Sequence, residues 1–224
     1  MCGRFTQTAT PAIIAEEFEV AAPSLFQPRY NIAPSQPIAV IRIEPDRTTR
    51  TLVMLRWGLI PSWAKDPKMG NQCINAKAET VAEKPSFRSA FKKRRCLVVA
   101  TGFYEWQVQG RTKQPMWIGL QSQRPFALAG LWEQWTSGDG EPLETCTIIT
   151  TEPNDLMAPI HNRMPVILAP AFYDQWLDPT FQHIEPLKAL LRPYPGEELM
   201  AYPVSTLVNN PRRDVPQCLE PVSV

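Results

Sequence analysis

Proline places the strongest constraint on how this chain can fold. The sequence has 24 prolines among 224 residues, well above the average of about 5%. They lie between apolar runs and form no low-complexity segment. Because proline lacks a backbone N–H and fixes φ, it disfavours long helices and the interior of sheets. The pattern predicts many short strands joined by rigid turns.

The strand predictions follow the apolar runs between these prolines. They cover residues 37–43, 51–57, 95–100, 103–108, 115–120, 126–132 and 145–150. The polar stretch 109–114 contains Gly110 and is typical of a hairpin loop.

Helices are predicted mainly toward the two ends of the chain. Segment 8–20 carries the strongest signal, because Thr10 can cap it, Pro11 fits its first turn, and Ile14 and Phe18 share a face. The other helix predictions are a short basic helix at 85–94 and short helices near 153–158, 171–176 and 184–192. Strands in the middle with helices around them predict an α+β fold with a mixed, barrel-like sheet. No repeat or linker interrupts the chain, so we expect one domain over 1–224.

Charge and hydropathy exclude several classes of protein. The formal net charge is +1 and the pI is about 7.6, so the chain is not uniformly basic and any nucleic-acid site must be a local patch. No apolar run reaches the roughly 18 residues of a spanning helix, and no signal peptide opens the chain. We therefore expect a cytoplasmic protein without a membrane segment.

The five cysteines do not predict disulfides or a metal centre. Their number is odd, their spacing is wide, and no C-x-x-C motif is present. Cys96 and Cys146 lie in apolar strand-like runs, which indicates core packing. We expect no metal and no cofactor.

Cys2 is different because removal of Met1 would place a thiol and a free α-amine on adjacent carbons. An aldehyde can form an imine with that amine and then accept the thiol, which closes a five-membered thiazolidine ring. An α-amine has a pKa of about 7.7–8, against about 10.4 for lysine, so much more of it is neutral at pH 7. An ordinary thiol is also a few per cent thiolate at that pH. A cysteine at position 2 is otherwise only the second residue of a chain.

Two further residues have the chemistry of proton transfer. Glu105 lies between Tyr104 and Trp106, and a carboxylate among aromatic groups tends toward a raised pKa; the alternative is a solvated strand face. His161 precedes Asn-Arg-Met-Pro, so a turn is expected there, and it is either a proton shuttle or an ordinary surface histidine.

Basic residues cluster around the 85–94 helix, a pattern that usually marks a solvated face. They are Arg88, Lys92, Lys93, Arg94 and Arg95. Trp57 and Trp63 in a separate loop add the possibility of base stacking beside phosphate contacts.

Nine short blocks, in order along nearly the whole chain, carry a family resemblance. They are MCGR, YNIAP, RWGLIP, INAKAET, GFYEW, KQP, FALAGLW, TIIT and IHNRMP. In this set the chain resembles the SRAP family of abasic-site processing proteins. The resemblance implies a single compact domain with a β-barrel-like core and a channel for single-stranded DNA. It also implies that the exposed Cys2 cross-links to the ring-opened sugar aldehyde of an abasic site, as a thiazolidine that protects the strand from cleavage.

The resemblance also assigns roles to residues. Cys2 is the nucleophile, Asn75 orients the adduct and the amine, Glu105 moves protons, and His161 assists at the sugar hydroxyl. DNA contacts fall on Arg4, Lys77, Arg88, Trp63, Asn31 and Pro34. Lys77 stands where many members carry Arg, which loses a bidentate phosphate contact and implies weaker positioning. Ser62 and Trp63 stand where some relatives have two adjacent Trp.

Two other functions remain open from the sequence. An N-terminal-cysteine peptidase or hydrolase would use Cys2, Glu105 and His161 in acyl transfer, with turnover. A passive single-strand binder would use Trp63 and the basic cluster without a covalent step. The chain ends at Val224 without the C-terminal extension that eukaryotic relatives typically carry. We therefore expect a bacterial, monomeric protein that acts at the nucleoid.

Overall fold

A computed structural model describes residues 2–22, 27–44 and 49–223. In chain order the strands are β1 (Phe5–Gln7), β2 (Arg29–Ile32), β3 (Pro37–Ile43), β4 (Arg50–Trp57), β5 (Asn75–Lys77), β6 (Arg95–Ala100), β7 (Gly102–Gln109), β8 (Thr112–Leu120), β9 (Phe126–Thr136), β10 (Pro142–Thr151), β11 (Met164–Pro165), β12 (Ile167–Leu168) and β13 (Leu199–Pro203). The α-helices are α1 (Pro11–Phe18), α2 (Arg88–Lys93), α3 (Tyr173–Leu177) and α4 (Ile184–Ala189). Short 3-10 helices lie at Pro67–Gln72, Pro170–Phe172, Gly196–Glu198, Thr206–Asn209 and Pro216–Leu219.

Five strands close into a barrel. The neighbours β4–β3, β3–β6, β6–β9 and β9–β10 are antiparallel, and β10 closes the ring by pairing with β4 in parallel. A second sheet has the strand order β13-β8-β7-β1-β2. The predicted α+β fold with a barrel-like mixed sheet and short peripheral helices is confirmed.

Two hydrophobic clusters bury both faces of the barrel strands. Side chains alternate along a strand, so Val40 and Val98 pack in the cluster that contains Cys2, whereas Ile41 and Leu97 pack on the opposite side with α1 and α3. Burial on both faces explains the apolar stretches 38–41, 96–100 and 126–132 in β3, β6 and β9. All five cysteines are free and buried, and core packing of Cys96 and Cys146 is confirmed.

The seven predicted strands are present, most of them extended by a few residues. The helix predicted at 8–20 is α1, with Thr10 Oγ1 accepting from Ile13 N at 3.4 Å. The predicted hairpin is confirmed, but its loop is shorter than 109–114. Thr112, Lys113 and Gln114 pair with β7, so the loop consists of Gly110 and Arg111, and Gly110 adopts φ +61°. Helices at 171–176 and 184–192 are confirmed as α3 and α4. The basic helix is shorter than predicted, because α2 begins only at Arg88.

The helix predicted near 153–158 is wrong. This segment forms turns in which Asn154 Oδ1 accepts from Met157 N at 2.9 Å, and Asn154 Nδ2 donates to Tyr194 O at 2.7 Å. Asn favours such local hydrogen bonds over helix formation. Among the described residues, no helix has the length and apolar character that a membrane crossing needs.

Candidate active site

Strand pairing brings the N-terminal Cys2 beside the strand that carries Glu105. β1 pairs with β7 through Phe5 and Phe103, and Tyr104 N donates to Arg4 O at 2.9 Å. Cys2 itself is fully buried in the core cluster that also contains Phe5. Cys2 is thus held near the start of β7 by the β-sheet hydrogen bonds of the residues that follow it.

Asn75 holds the main chain of Cys2 from the other side. Asn75 begins β5, pairs with Ile148 of β10, and donates from Nδ2 to Cys2 O at 2.8 Å. Its Oδ1 is buried and has no hydrogen-bond partner among the described residues. A buried acceptor without a partner is costly, so this atom is available for a donor on the substrate or on the amine of Cys2.

Glu105 is a nearly inaccessible carboxyl, with 3% of its surface exposed. Burial raises its pKa from 4.5 to about 7, because the charged form loses solvation. The prediction of a raised pKa is confirmed. At neutral pH both protonation states are populated, so Glu105 can donate or accept a proton.

His161 lies beside this carboxyl, with its Nε2 3.8 Å from Glu105 Oε2. The backbone N–H of Arg163 donates to His161 Nδ1 at 3.1 Å, which leaves the ring proton of a neutral imidazole on Nε2, the nitrogen nearer Glu105. Burial lowers the pKa of His161, and the neutral ring is therefore favoured at pH 7.

The thiol of Cys2 differs from the ordinary thiol assumed from the sequence. Burial raises its pKa well above the usual range, and the nearby Glu105 carboxylate raises it further. The expectation that a few per cent is thiolate at pH 7 is wrong for this environment. Addition of the sulfur to an electrophile must therefore be accompanied by proton removal, and Glu105 is the adjacent acceptor.

An open cavity of about 430 Å³ lies over these groups. Its lining residues are Glu105, Trp106, Lys113, His161 and Asn209. Glu105 lines the cavity, and its charge is close enough to Cys2 to raise the pKa of the thiol, so a molecule in the cavity lies near Cys2. In the described parts of the chain, no three or more His, Cys, Asp and Glu side chains are grouped to hold a metal ion.

Arg4 and Asn31 are joined to each other. Arg4 Nη1 donates to Asn31 Oδ1 at 2.8 Å and to Val208 O at 2.7 Å, and Arg4 is only partly exposed. Asn31 is fully buried, and its Nδ2 donates to the carbonyls of Val208, Asn210 and Arg213. A direct DNA contact by the Asn31 side chain does not fit this burial. Its position suits a residue that orients Arg4.

The other expected DNA contacts reach the surface. Trp63 has 57% of its surface exposed, Lys77 and Arg88 are exposed, and Pro34 is half-buried. The loop that carries Trp63 starts at Gly58, whose φ of +122° and contact with Gly70 O leave no room for a Cβ atom.

Trp57 and two arginines of the basic run were expected at a DNA-binding surface, but they make contacts within the protein instead. Trp57 is fully buried, and its Nε1 donates to Ile74 O at 2.9 Å, so it is unavailable to bases. Arg95 is buried and donates to five backbone carbonyls, and Arg94 pairs with Glu133. The basic run is therefore not one continuous face.

Sequence reasoning missed residues that complete the site. Arg163 bridges the segment after β5 to β10, because it donates to Glu79 at 2.5 and 3.0 Å and to Thr150 O at 2.6 Å. Lys113 and Asn209 line the cavity, and no chemical motif singled them out. Arg163 stands in the IHNRMP block and Lys113 in the KQP block, which is the signal that could have found them.

Comparison with known proteins agrees with this architecture. The chain matches the family described as SOS response associated peptidase (SRAP) over residues 1–211. It is 47% identical to the abasic site processing protein YoqW of Bacillus subtilis (strain 168), with 98% of this chain and 99% of YoqW covered. It is 36% identical to the abasic site processing protein HMCES of Xenopus tropicalis, with 87% of this chain and 66% of HMCES covered.

A crystal structure of a Bacteroides thetaiotaomicron protein superimposes with a TM-score of 0.88 at 28% identity, and covers 99% of this chain and all of that one. A Bordetella bronchiseptica protein gives a TM-score of 0.77 at 25% identity, with 91% of this chain and all of that one covered. The sequence matches extend across the barrel and the residues around Cys2. The chain therefore belongs to the SRAP family.

Proposed function

We propose that this protein binds abasic sites in single-stranded DNA and traps them covalently through Cys2 after removal of Met1. The observation that carries the proposal is the clamp of Asn75 on Cys2 beside a buried carboxyl whose pKa is about 7. The relatives named as abasic site processing proteins support the choice of lesion. No cofactor or metal takes part, and the protein acts as a monomer in a bacterial cytoplasm, at the nucleoid.

The chemistry needs only the two nucleophiles of residue 2. The α-amine of Cys2 adds to the C1′ aldehyde of the ring-opened sugar, and loss of one water gives an imine. The thiol then adds to the carbon of the protonated imine, a C–S bond forms, the thiol proton passes to a neighbouring base, and the ring nitrogen keeps its own hydrogen. The saturated thiazolidine has no imine to act as an electron sink, so β-elimination of the strand is prevented.

Asn75 orients the nucleophiles in this scheme. Its Nδ2 fixes the carbonyl of Cys2, and its buried Oδ1 accepts a hydrogen bond from the adjacent amine. Holding the amine and the thiol next to the minor open-chain aldehyde is a proximity effect worth several kcal/mol.

Glu105 and His161 move the protons. The protonated Glu105 delivers a proton to the departing hydroxyl of the carbinolamine, and the resulting carboxylate accepts the thiol proton during ring closure. His161 presents its Nε2 beside Glu105, where it can exchange a proton with the sugar hydroxyl released by ring opening.

The DNA strand contacts residues of several elements that reach the surface. Arg4, held by Asn31, together with Lys77 and Arg88, binds phosphates that flank the lesion. Trp63 stacks on a base or wedges beside one, and Pro34 supports the strand at the turn after β2.

A gel experiment tests the proposal. Protein with Met1 removed is mixed with a single-stranded oligonucleotide that carries one abasic site, and is then run under denaturing conditions with intact-mass analysis. We expect a heat-stable one-to-one adduct that is absent with intact DNA, with Cys2→Ala and with an N-terminally acetylated form. Equal adduct formation by Cys2→Ala would contradict the thiazolidine scheme.

The family description as a peptidase favours one alternative, an N-terminal-cysteine hydrolase. The elevated pKa of the Cys2 thiol is unfavourable for it, because a cysteine hydrolase relies on a thiolate. Multiple turnovers of a peptide or amide substrate that require Cys2 would support the hydrolase. A passive binder would retain intact and abasic DNA equally and release both in SDS.

A further inference from the structure

Three residues that line the cavity have been given no role above. Trp106, Lys113 and Asn209 line it together with the acid–base pair Glu105 and His161. Lys113 is exposed and forms no ion pair with any residue that the structure describes. Its ammonium group carries three donors and no acceptor.

The amide of Asn209 is oriented by its neighbour. Trp106 Nε1 donates to Asn209 Oδ1 at 2.7 Å, and an indole nitrogen can only donate, so the amide nitrogen occupies the other position. Asn209 is exposed, and its Nδ2 makes no hydrogen bond to a described residue. Two N–H donors are therefore available beside the ammonium group of Lys113.

The backbone on both sides of Asn209 is also held by hydrogen bonds. The carbonyls of both its neighbours, Val208 and Asn210, accept from the buried Asn31 side chain at 3.2 and 3.1 Å. Asp214 ties the same segment to β2, by an ion pair with Arg29 and a hydrogen bond from Asn31 N at 2.9 Å. A preorganised donor loses less entropy when it binds.

We propose that Lys113 and Asn209 form a subsite for one of the two phosphates that flank the abasic sugar. Phosphate oxygens are anionic acceptors, which matches the positive charge of Lys113 and the available amide N–H groups of Asn209. This subsite rests on the proposed function for its substrate. It adds a contact on the β7–β8 side of the cavity to the phosphate contacts of Arg4, Lys77 and Arg88.

The test separates binding from chemistry by using an oligonucleotide with a tetrahydrofuran abasic analogue, which has no aldehyde. We expect Lys113→Ala to weaken binding about fivefold to tenfold and to lower the slope of log affinity against log salt by about 0.7. Asn209→Ala should weaken binding about threefold and leave that slope unchanged. Lys188→Ala on α4 removes the same charge away from the cavity and should keep wild-type affinity.

A methylphosphonate linkage removes the charge of one chosen phosphate, and it therefore identifies the phosphate that Lys113 contacts. When it neutralises the contacted phosphate, the Lys113→Ala penalty should disappear, and when it lies several nucleotides away the full penalty should remain. A penalty that stays full when each of the two flanking phosphates is neutralised in turn would overturn the proposal, as would a penalty no larger than that of Lys188→Ala. A protein that binds this oligonucleotide as expected but forms no adduct with a true abasic site would refute the proposed function and leave the subsite intact.

Discussion

Glu105→Gln should stabilise the folded protein, and the effect should depend on pH. The carboxyl titrates near 4.5 in the unfolded chain and at about 7 in the folded protein, because burial disfavours its charge. Between these pH values the folded state binds more protons than the unfolded state, so stability falls as the pH rises. The full cost is reached above pH 7 and is about 3 kcal/mol of unfolding free energy. The uncharged amide avoids that cost.

Urea unfolding of the wild type and Glu105→Gln at two pH values measures this effect. We expect the variant to be more stable by about 3 kcal/mol near pH 8, and by well under 1 kcal/mol near pH 4.5. Glu79→Gln is the matched control with the opposite sign. The hydrogen bond from Arg163 lowers the pKa of the Glu79 carboxyl. Replacing that carboxylate should therefore destabilise the protein near pH 8.

The two outcomes have different consequences. A stability difference between wild type and Glu105→Gln that stays constant from about pH 4.5 to pH 8 would refute the claim that burial holds the Glu105 carboxyl near neutral pKa. A stabilised variant that also loses cross-linking would show that the protein accepts lower stability to keep a proton-transfer group in a buried place.

Three further changes test the site and its support. Asn75→Ala should slow adduct formation about tenfold or more in a single-turnover gel assay, while unfolding free energy falls by no more than about 1 kcal/mol, because the side chain makes one hydrogen bond to Cys2 O; wild-type kinetics would contradict the orienting role. Trp63→Ala should weaken binding of single-stranded DNA by about 1–3 kcal/mol and change stability by less than about 0.5 kcal/mol, whereas the buried Trp57→Ala should cost about 3–5 kcal/mol in a denaturation experiment; equal losses of stability would refute the assignment of the two rings. Asn31→Ala should cost about 2–4 kcal/mol in unfolding free energy and also weaken DNA binding, since it leaves buried carbonyls without donors; a weaker affinity at unchanged stability would favour a direct DNA contact.

The barrel strands could be predicted because they are buried on both faces and bounded by turn residues. The run 96–100 is apolar at every position, and its short length and its adjacent valines favour a buried strand over a helix. The short strands could not be found in the same way. β5 is three residues long and is defined by its pairing with β10, a partner about 70 residues away, so its own sequence carries no signal.

The candidate site also contains residues that the local sequence could predict and properties that depend on distant parts of the chain. The motifs indicated Cys2, Asn75, Glu105 and His161 as residue types, and the structure places Asn75 and Glu105 next to Cys2 and His161 next to Glu105. The burial of Asn31 was not predictable, because it depends on carbonyls some 180 residues later in the chain. The raised pKa of the Cys2 thiol likewise depends on the packing of the core cluster around it.

The most direct test of the account is carbon NMR of the adduct, made from an oligonucleotide whose abasic sugar carries ¹³C at C1′. A thiazolidine predicts one saturated C1′ resonance, bonded to both the nitrogen and the sulfur of Cys2. With Cys2→Ser that carbon should lose the shift characteristic of a sulfur neighbour. An unsaturated imine resonance as the stable species, or a C1′ bonded to a lysine, would contradict trapping by the N-terminal aminothiol.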